Sequence, residues 1–122
     1  MNSLIPQSIL ENIPDLYDTE RSINPTCHIK LFTPDSIFTW YIIEVSKEDK
    51  HTCYGLVKAF ESELGYFSLK ELETIKGSLG LRVERDISFS PTALEIIRKS
   101  VWRMFIFKVK LKKILKTGQS MG

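Results

Sequence analysis

The chain has little of what usually identifies a protein's compartment. Only two of its 122 residues are cysteines, Cys27 and Cys53, which excludes a disulfide framework and favours a reducing compartment. The first residues lack the basic stretch and apolar run of a secretory signal. No stretch reaches the ~20 apolar residues of a membrane-spanning helix, and five Lys and Arg interrupt the most apolar window, residues 101–115. We therefore expect a soluble, cytoplasmic protein with no membrane span.

Sequence motifs of common enzymes are missing as well. The chain contains no phosphate-binding loop, no glycine-rich dinucleotide fingerprint, no nucleophile elbow and no zinc-protease motif. Missing motifs lower the expectation of an enzyme without excluding one. We expect a non-enzymatic protein with no catalytic residues, no bound metal and no cofactor.

Charge is divided unevenly along the chain. The formal net charge is +2, but residues 1–97 carry 9 Lys and Arg against 15 Asp and Glu, whereas residues 98–122 carry 8 Lys and Arg and no acid. This division excludes both a uniformly basic nucleic-acid coat and a uniformly acidic nucleic-acid mimic. We predict a single domain over 1–97, followed by a basic C-terminal extension over 98–122.

The first half of the chain has the pattern of an antiparallel meander. Residues 27–32 have alternating side chains, residues 37–45 are rich in β-branched and aromatic residues, and residues 51–60 are a third strand candidate; turn residues separate the three segments. Residues 83–89 also have a strand pattern: Val83, Arg85, Ile87 and Phe89 fall on one face, and Glu84, Asp86 and Ser88 on the other. Three consecutive strands with short connections pair most readily as neighbours.

Three segments have helical signals. Apolar residues recur at helical spacing in residues 6–16. Ser68 and Glu71 form a capping box that predicts a helix over 68–76, ended by Gly77 in the left-handed conformation. Thr92 can cap a last helix that extends to about Trp102, with strand or irregular structure after it. The predicted fold is therefore α+β: a small antiparallel β-sheet of four or five strands with two or three helices packed on it.

Several motifs, taken in order, resemble one protein family. They are KLFTP (30–34), TW (39–40), YGLV (54–57), GYFSLKELE (65–73), GSLGL (77–81) and ERDISFSPT (84–92). The chain resembles the bacterial family of domains of unknown function numbered 2958 over about residues 4–97. The resemblance implies a bacterial setting on plasmids, phages or other mobile genetic elements, and it implies no activity. The basic extension lies beyond it.

The densest charged cluster is Glu84, Arg85 and Asp86. Strand alternation places Glu84 and Asp86 on one face and Arg85 on the inner face, where an unpaired charge is costly. We expect Arg85 to lie near a ligand or to pair with a carboxylate, for which the candidates are Glu44, Glu71 and Glu73. Alternatively, Glu84 and Asp86 could bind a divalent metal and perform acid–base catalysis.

Aromatic residues supply a second set of candidates. Trp40 could stack on a base or line a partner groove, as could Tyr41, Tyr54, Tyr66 and Phe67. Aromatic residues in strands are more often buried, so we expect at least half of them in the core. Cys27-His28 and His51-x-Cys53 offer zinc-type ligands, but their spacing matches no zinc motif and favours half-buried thiols with surface imidazoles.

The C-terminal extension is the clearest electrostatic feature. Trp102, Phe105 and Phe107 interleave with its basic residues, a combination that suits nucleic acid or an anionic membrane surface. Alternatively, the extension folds back on the acidic domain or forms a solvated edge strand. The basic candidates are Arg98, Lys99, Arg103, Lys108, Lys110, Lys112 and Lys113.

Three functional hypotheses follow. The first is a small binding protein of a bacterial mobile genetic element that occupies a surface of a host or element-encoded nucleic-acid-processing complex, for instance as an anti-defence (anti-CRISPR) inhibitor. The second is direct nucleic-acid binding through the basic extension. The third is a metal-dependent enzyme that uses Glu84 and Asp86.

Overall fold

The computed structural model describes residues 4–99, which form short helices and two antiparallel sheets. The helices are α1 (Gln7–Leu10), α2 (Leu69–Leu72) and α3, which begins at residue 94 and is described as far as 99. The strands are β1 (Thr26–Cys27), β2 (Ile29–Phe32), β3 (Thr39–Val45), β4 (Thr52–Lys58), β5 (Ser62–Ser68), β6 (Glu84–Arg85) and β7 (Thr92–Ala93). The α+β prediction is confirmed.

The main sheet is a meander extended by one strand at each side. Its strand order is β5-β4-β3-β2-β6, all antiparallel, while β1 and β7 form a separate two-stranded sheet. The predicted strands at 27–32, 37–45 and 51–60 are confirmed as β1 with β2, β3, and β4. The short turns between them explain why consecutive strands are neighbours.

Both faces of the sheet are covered by apolar side chains. On one face, which we call face A, Trp40 and Ile42 pack with Leu69 of α2 and Leu10 of α1. On the opposite face, face B, the buried cluster is Cys27, Tyr41, Ile43, Leu56, Leu94 and Ile97. Because β3 lies at the centre of the sheet, its side chains are buried on both sides, as its sequence without polar alternation indicates.

A β-bulge interrupts the alternation of β3. Ile42 pairs with Gly55 and Glu44 pairs with Tyr54, so Ile43 is the extra residue. Ile43 belongs to the face B cluster, whereas Val45 belongs to the face A cluster together with Ile42. A bulge opposes two residues to one on the partner strand, and here it turns Glu44 towards the same side as Ile43.

The predicted helices are shorter than the sequence indicates. α1 covers only Gln7–Leu10, and tighter three-residue turns follow it, with the Ile13 amide donating to the Leu10 carbonyl at 3.2 Å. These turns bury both Leu10 and Ile13, and Pro14 follows directly. The prediction of one helix over residues 6–16 was therefore too long.

The predicted capping box at Ser68 is wrong. Ser68 is the last residue of β5, and its hydroxyl lies 3.3 Å from His51 Nδ1 rather than capping α2. The helix ends at Leu72, so it does not extend to Gly77. Gly80, with φ of 83°, is the glycine in the left-handed conformation in residues 4–99.

Three strand assignments also need correction. β5 was not predicted: residues 65–67 were interpreted only as a short apolar piece before the helix. The predicted strand over 83–89 is confined to Glu84–Arg85, and Ile87, expected on the inner face, is 83% exposed. Thr92 lies in β7 instead of capping a helix; the amide of Glu95, in the first turn of α3, donates to Asn24 Oδ1 at 2.8 Å.

The domain core extends to Ile97, the last residue assigned to the face B cluster. The predicted continuation of the helix to Trp102 and the strand after it fall outside the described residues. Within residues 4–99, no helix has the length and apolarity needed to cross a membrane.

Candidate functional site

The bulge in β3 places a carboxylate in the interior beside face B. Glu44 is 2% exposed, the most buried charged residue among those described. Its Oε1 accepts a hydrogen bond from the Tyr17 amide at 2.9 Å, and its Oε2 accepts from the Thr19 amide at 2.9 Å and from the Thr19 hydroxyl. Both carboxylate oxygens therefore accept hydrogen bonds from neutral donors only.

These hydrogen bonds fold the polar loop of residues 15–24 over the end of β3. A backbone bond of 2.9 Å from the Val45 amide to the Pro14 carbonyl fixes the start of the loop. Tyr17 adopts a positive φ of 71°, which is unusual for a residue other than glycine, asparagine or aspartate. The Glu44 carboxylate therefore holds Tyr17 in a conformation that its own backbone does not favour.

Three tyrosines surround the space above Glu44. Tyr54 and Tyr66 are cross-strand neighbours on β4 and β5, and their ring centroids lie 5.1 Å apart at an interplanar angle of 53°. The Tyr17 ring lies 6.4 Å from the Tyr66 ring, also at 53°. Two successive tilts of this kind make a concave wall instead of a flat stack.

The three tyrosines and Glu44 line a pocket of about 300 Å³, which we call the Glu44–tyrosine pocket. Large exposed side chains stand on its rim: Ile23 is 99% exposed, and Tyr17 and Tyr66 are more than half exposed. Partial desolvation, the hydrogen bond with the Tyr17 hydroxyl and the negative charge of Glu44 raise the pKa of Tyr66 above its ordinary value of 10.0. The pocket thus combines aromatic walls with negative potential.

Sequence reasoning found only part of this site. Tyr54 and Tyr66 were among the aromatic candidates, but Glu44 was considered only as a partner for Arg85, and Tyr17 and Thr19 were not considered. One signal was available: Glu44 is the one charged residue in an otherwise apolar strand. A charge at such a position needs specific partners, and these came from a loop more than 20 residues away.

Trp40 does not line this site. Its side chain is 5% exposed, lies in the face A core and stacks on Phe38 at a centroid distance of 5.9 Å. Tyr41 is also buried, in the face B core. Neither of these neighbouring aromatics therefore faces solvent.

Glu84, Arg85 and Asp86 do not all lie in one strand, because β6 ends at Arg85. Arg85 is half-buried opposite Leu31, and no carboxylate of the described residues lies within ion-pair distance of it, so the expected pairing with Glu44, Glu71 or Glu73 is wrong. Asp86 instead contacts Lys30 at 3.6 Å. Hydrogen bonds from Ser88, together with Lys30, lower the pKa of Asp86 from 3.8.

The predicted basic surface begins at the end of α3. Arg98 and Lys99 are exposed, and Lys99 forms an i,i+4 ion pair of 2.8 Å with Glu95. The other predicted basic residues lie outside the described residues: Arg103, Lys108, Lys110, Lys112 and Lys113.

The cysteines and histidines do not converge. Cys27 is buried in the face B core and Cys53 in the face A core, so the sheet lies between them. Burial raises the pKa of both thiols to about 12. Over residues 4–99, no three His, Cys, Asp or Glu side chains are grouped as metal ligands would be.

A second concave surface lies on face A, where α1, α2 and the β3–β4 turn enclose about 820 Å³. His51 stands at its edge, 3.3 Å from Ser68 Oγ and 3.7 Å from Asp49 Oδ2. This order resembles a catalytic triad, but Asp49 already accepts the amides of His51 and Thr52 and the Thr52 hydroxyl at 2.6–2.9 Å. The cluster is explained by its role in closing the turn.

Comparison with known proteins identifies a family. Residues 4–102 match the family described as "Protein of unknown function (DUF2958)". The match covers most of the chain, so the chain belongs to this family, as the resemblance of its motifs implied. It takes in Arg98 and Lys99 and ends at Trp102. No curated protein and no solved structure matches the chain.

Proposed function

We propose that this member of the DUF2958 family is a small, non-enzymatic, cytoplasmic binding protein, and that the Glu44–tyrosine pocket with its exposed rim is its contact surface. In this proposal the protein is encoded on a bacterial mobile genetic element. It occupies a surface of a host or element-encoded nucleic-acid-processing complex and thereby inhibits it, as an anti-defence (anti-CRISPR) protein does.

The exposed aromatic rim carries the proposal. Tyr17, Ile23 and Tyr66 are 61%, 99% and 55% exposed and border one pocket, so they form a patch instead of isolated exposed residues. Tyrosine is enriched in protein interfaces because it offers a large rigid contact area with a polar end. Contiguous apolar surface of this kind typically indicates a site of interaction.

Two considerations favour this setting. The family resemblance implies plasmids and other mobile elements, and the two buried, unpaired cysteines suit a reducing compartment.

The experiment is capture from nuclease-treated bacterial lysate, with wild-type protein and a Tyr66→Leu variant as paired baits. We expect subunits of a nucleic-acid-processing complex to be enriched by the wild type at moderate salt and to be lost with Tyr66→Leu. Phe60→Leu is the matched control, since Phe60 is 94% exposed and does not line the pocket. Equal capture by wild type and Tyr66→Leu would overturn the proposal.

The charge of the extension favours a second function, direct nucleic-acid binding. Residues 98–122 carry eight basic and no acidic residues, and the basic run begins on the exposed surface at Arg98 and Lys99. Each phosphate neutralised adds roughly 0.9 to the slope of log K against log salt on duplex DNA.

Four charge substitutions in the full chain test this second function. Replacing Lys108, Lys110, Lys112 and Lys113 by Gln should weaken DNA retardation and reduce its salt slope. The matched control replaces four basic residues of the domain, Lys58, Lys70, Lys76 and Arg82, by Gln. Unchanged, salt-insensitive retardation in the first variant would contradict the hypothesis.

A further inference from the structure

We infer that the Glu44–tyrosine pocket is a cation cage that receives the ammonium group of a lysine side chain from a partner protein. This inference deepens the proposed binding function and rests on it. It specifies what the surface recognises, which neither the family match nor the fold indicates.

The arrangement of the rings is the first support. The face of a tyrosine ring is electronegative, and a cation within about 6 Å of the ring centroid is attracted to it. Tyr66 is the central ring, with Tyr54 at 5.1 Å and Tyr17 at 6.4 Å. Because both neighbours are tilted by 53°, a cation above Tyr66 can approach more than one ring.

The charge of Glu44 is the second support. Its three partners are two amides and a hydroxyl, and among residues 4–99 no Lys, Arg or His lies within ion-pair distance of its carboxylate. Buried carboxylates usually have a compensating cation. Here the negative charge instead lies behind the tyrosine rings, where it attracts a cation that enters from solvent.

The surroundings of the pocket reinforce the preference for a cation. Glu20 also lines the pocket, and no basic residue is among its described lining residues. The domain over 1–97 carries 9 basic against 15 acidic residues, so the long-range field is also negative. Both the acidic side chains of the pocket and the net negative charge of the domain would repel an anion.

The chemistry of the pocket favours an ammonium over a guanidinium group. Arginine is recognised best by a carboxylate with two free oxygens in a planar, bidentate arrangement. Both Glu44 oxygens already accept hydrogen bonds from Tyr17 and Thr19, so a bidentate pair is not open to a ligand. A compact ammonium group needs only the ring faces and the nearby charge.

The rim indicates that the cation belongs to a side chain. Ile23, at 99% exposure, and Leu64, at 36%, flank the opening, and they can cover the methylene stem of a lysine. Leu64 and Tyr66 both lie on β5, an edge strand of the main sheet, so an extended partner segment has backbone groups beside the pocket to pair with.

Strain in the loop argues that the pocket is more than a packing feature. Tyr17 is 61% exposed, so burial of its ring offsets little of the free-energy cost of its unfavourable φ of 71°. An unfavourable backbone conformation at an exposed aromatic is a reason to infer function. The conformation places the ring against Tyr66, where it completes the wall of the cage.

The test is an NMR titration of the full chain with two amino acids whose termini are blocked and uncharged. They are N-acetyl-lysine methylamide and its neutral isostere N-acetyl-norleucine methylamide. We expect ring resonances of Tyr17, Tyr54 and Tyr66 to shift with the lysine probe and to shift much less with the norleucine probe. Titration to about 50 mM detects even a Kd of about 20 mM.

Three variants locate the binding. Tyr66→Leu should weaken lysine-probe binding by roughly fivefold, whereas Tyr66→Phe, which keeps the ring, should bind nearly as the wild type does. Phe60→Leu should have no effect. Since Tyr66 is 55% exposed on an edge strand, these variants are expected to fold, and dispersed amide resonances will verify it.

Several results would overturn the inference. Equal shifts from both probes would mean that the surface is apolar without charge preference, and no shifts at the three tyrosines would mean that there is no cage. Tighter probe binding after Lys108, Lys110, Lys112 and Lys113 are replaced by Gln would assign the pocket to the chain's own extension instead of a partner.

The two proposals can fail separately. If capture of a partner depends on Tyr66 but the lysine probe neither binds nor competes, the binding function stands and the cation cage is wrong. If the lysine probe binds at the tyrosines but capture is the same for wild type and Tyr66→Leu, the cage stands as a site and the proposed complex is wrong.

Discussion

Two carboxylates of this domain hold distant loops in place, yet only one leaves room for a ligand. Glu44 binds the loop of residues 15–24 through the amides of Tyr17 and Thr19. Asp35, in the turn between β2 and β3, binds residues 77–81 through the amides of Leu79 and Leu81, at 2.6 and 3.2 Å. Backbone amides donate in both cases, but both Glu44 oxygens accept hydrogen bonds, whereas at Asp35 only Oδ2 accepts them from the two amides.

The surroundings of the two carboxylates differ. Gly77 packs directly against Asp35: a Cβ on Gly77 would lie 1.6 Å from Asp35 Oδ1, an oxygen that is buried and has no hydrogen-bond partner within residues 4–99. Glu44 faces a pocket of about 300 Å³. Asp35, which is covered by Gly77, therefore only holds residues 77–81 in place. Glu44, which opens onto aromatic rings, can also interact with a ligand.

Removal of the Glu44 carboxylate should lower the stability of the domain more than any change at Asp35 or Asp49. Glu44→Leu leaves two amides and one hydroxyl without their acceptor, and we expect the free energy of unfolding to fall by about 3 kcal/mol. Denaturant unfolding measures it. Glu48→Leu, at an exposed position in the next turn, is the control; equal losses in the two variants would mean that the Glu44 hydrogen bonds contribute nothing particular.

Disruption of the hydrogen bonds that Asp35 accepts from residues 79 and 81 should have the next largest effect on stability. In Gly77→Ala the new methyl group displaces the Asp35 carboxylate, so the two amide hydrogen bonds are lost and stability should fall by about 2 kcal/mol. Gly65→Ala is matched to it, because a Cβ on Gly65 would meet nothing within 4 Å. If both alanine variants are as stable as the wild type, the close contact with Asp35 is not a constraint.

The smallest expected effect concerns Asp49, an exposed carboxylate that holds the β3–β4 turn. Hydrogen bonds from the Thr52 hydroxyl and amide, and from the His51 amide, lower the pKa of Asp49 well below its ordinary 3.8. A carboxyl group whose pKa is lower in the folded state stabilises the fold above its unfolded pKa, and this stabilisation is lost as the pH falls through the folded value.

Asp49→Asn should therefore be less stable than the wild type at about pH 6, and the difference should narrow as the pH falls below about 4. Thermal unfolding across this range measures the narrowing. Glu48→Gln removes the neighbouring exposed charge as a control. A difference between Asp49→Asn and wild type that stays constant with pH would contradict the assignment.

Most of the sheet could be predicted because its signals are local. The apolar runs that became β2, β3 and β4 are separated by short polar turns, and short connections leave few topologies other than a meander. The helices were less predictable. Ser68 and Glu71 have the spacing of a capping box, but pairing of Ser68 with Thr52 across the sheet overrides that local preference.

The candidate site could not be predicted because it depends on long-range geometry. Nothing in the letters around Ile43 indicates a bulge, and without that bulge Glu44 would alternate to the other face. The partners of Glu44 lie in a polar loop whose conformation is set only when Tyr17 and Thr19 reach it. Tyr54 and Tyr66 meet only through the β4–β5 register.

The two cysteines give the domain built-in reporters of local opening. Cys27 lies in the face B core and Cys53 in the face A core, and a pKa of about 12 makes each thiol unreactive while it is buried. Alkylation of each thiol therefore proceeds only as fast as its side of the sheet opens. With Cys53→Ser and Cys27→Ser as single-thiol variants, equal labelling rates would mean that the two faces unfold as one cooperative unit, and faster labelling of Cys27 would mean that face B opens on its own.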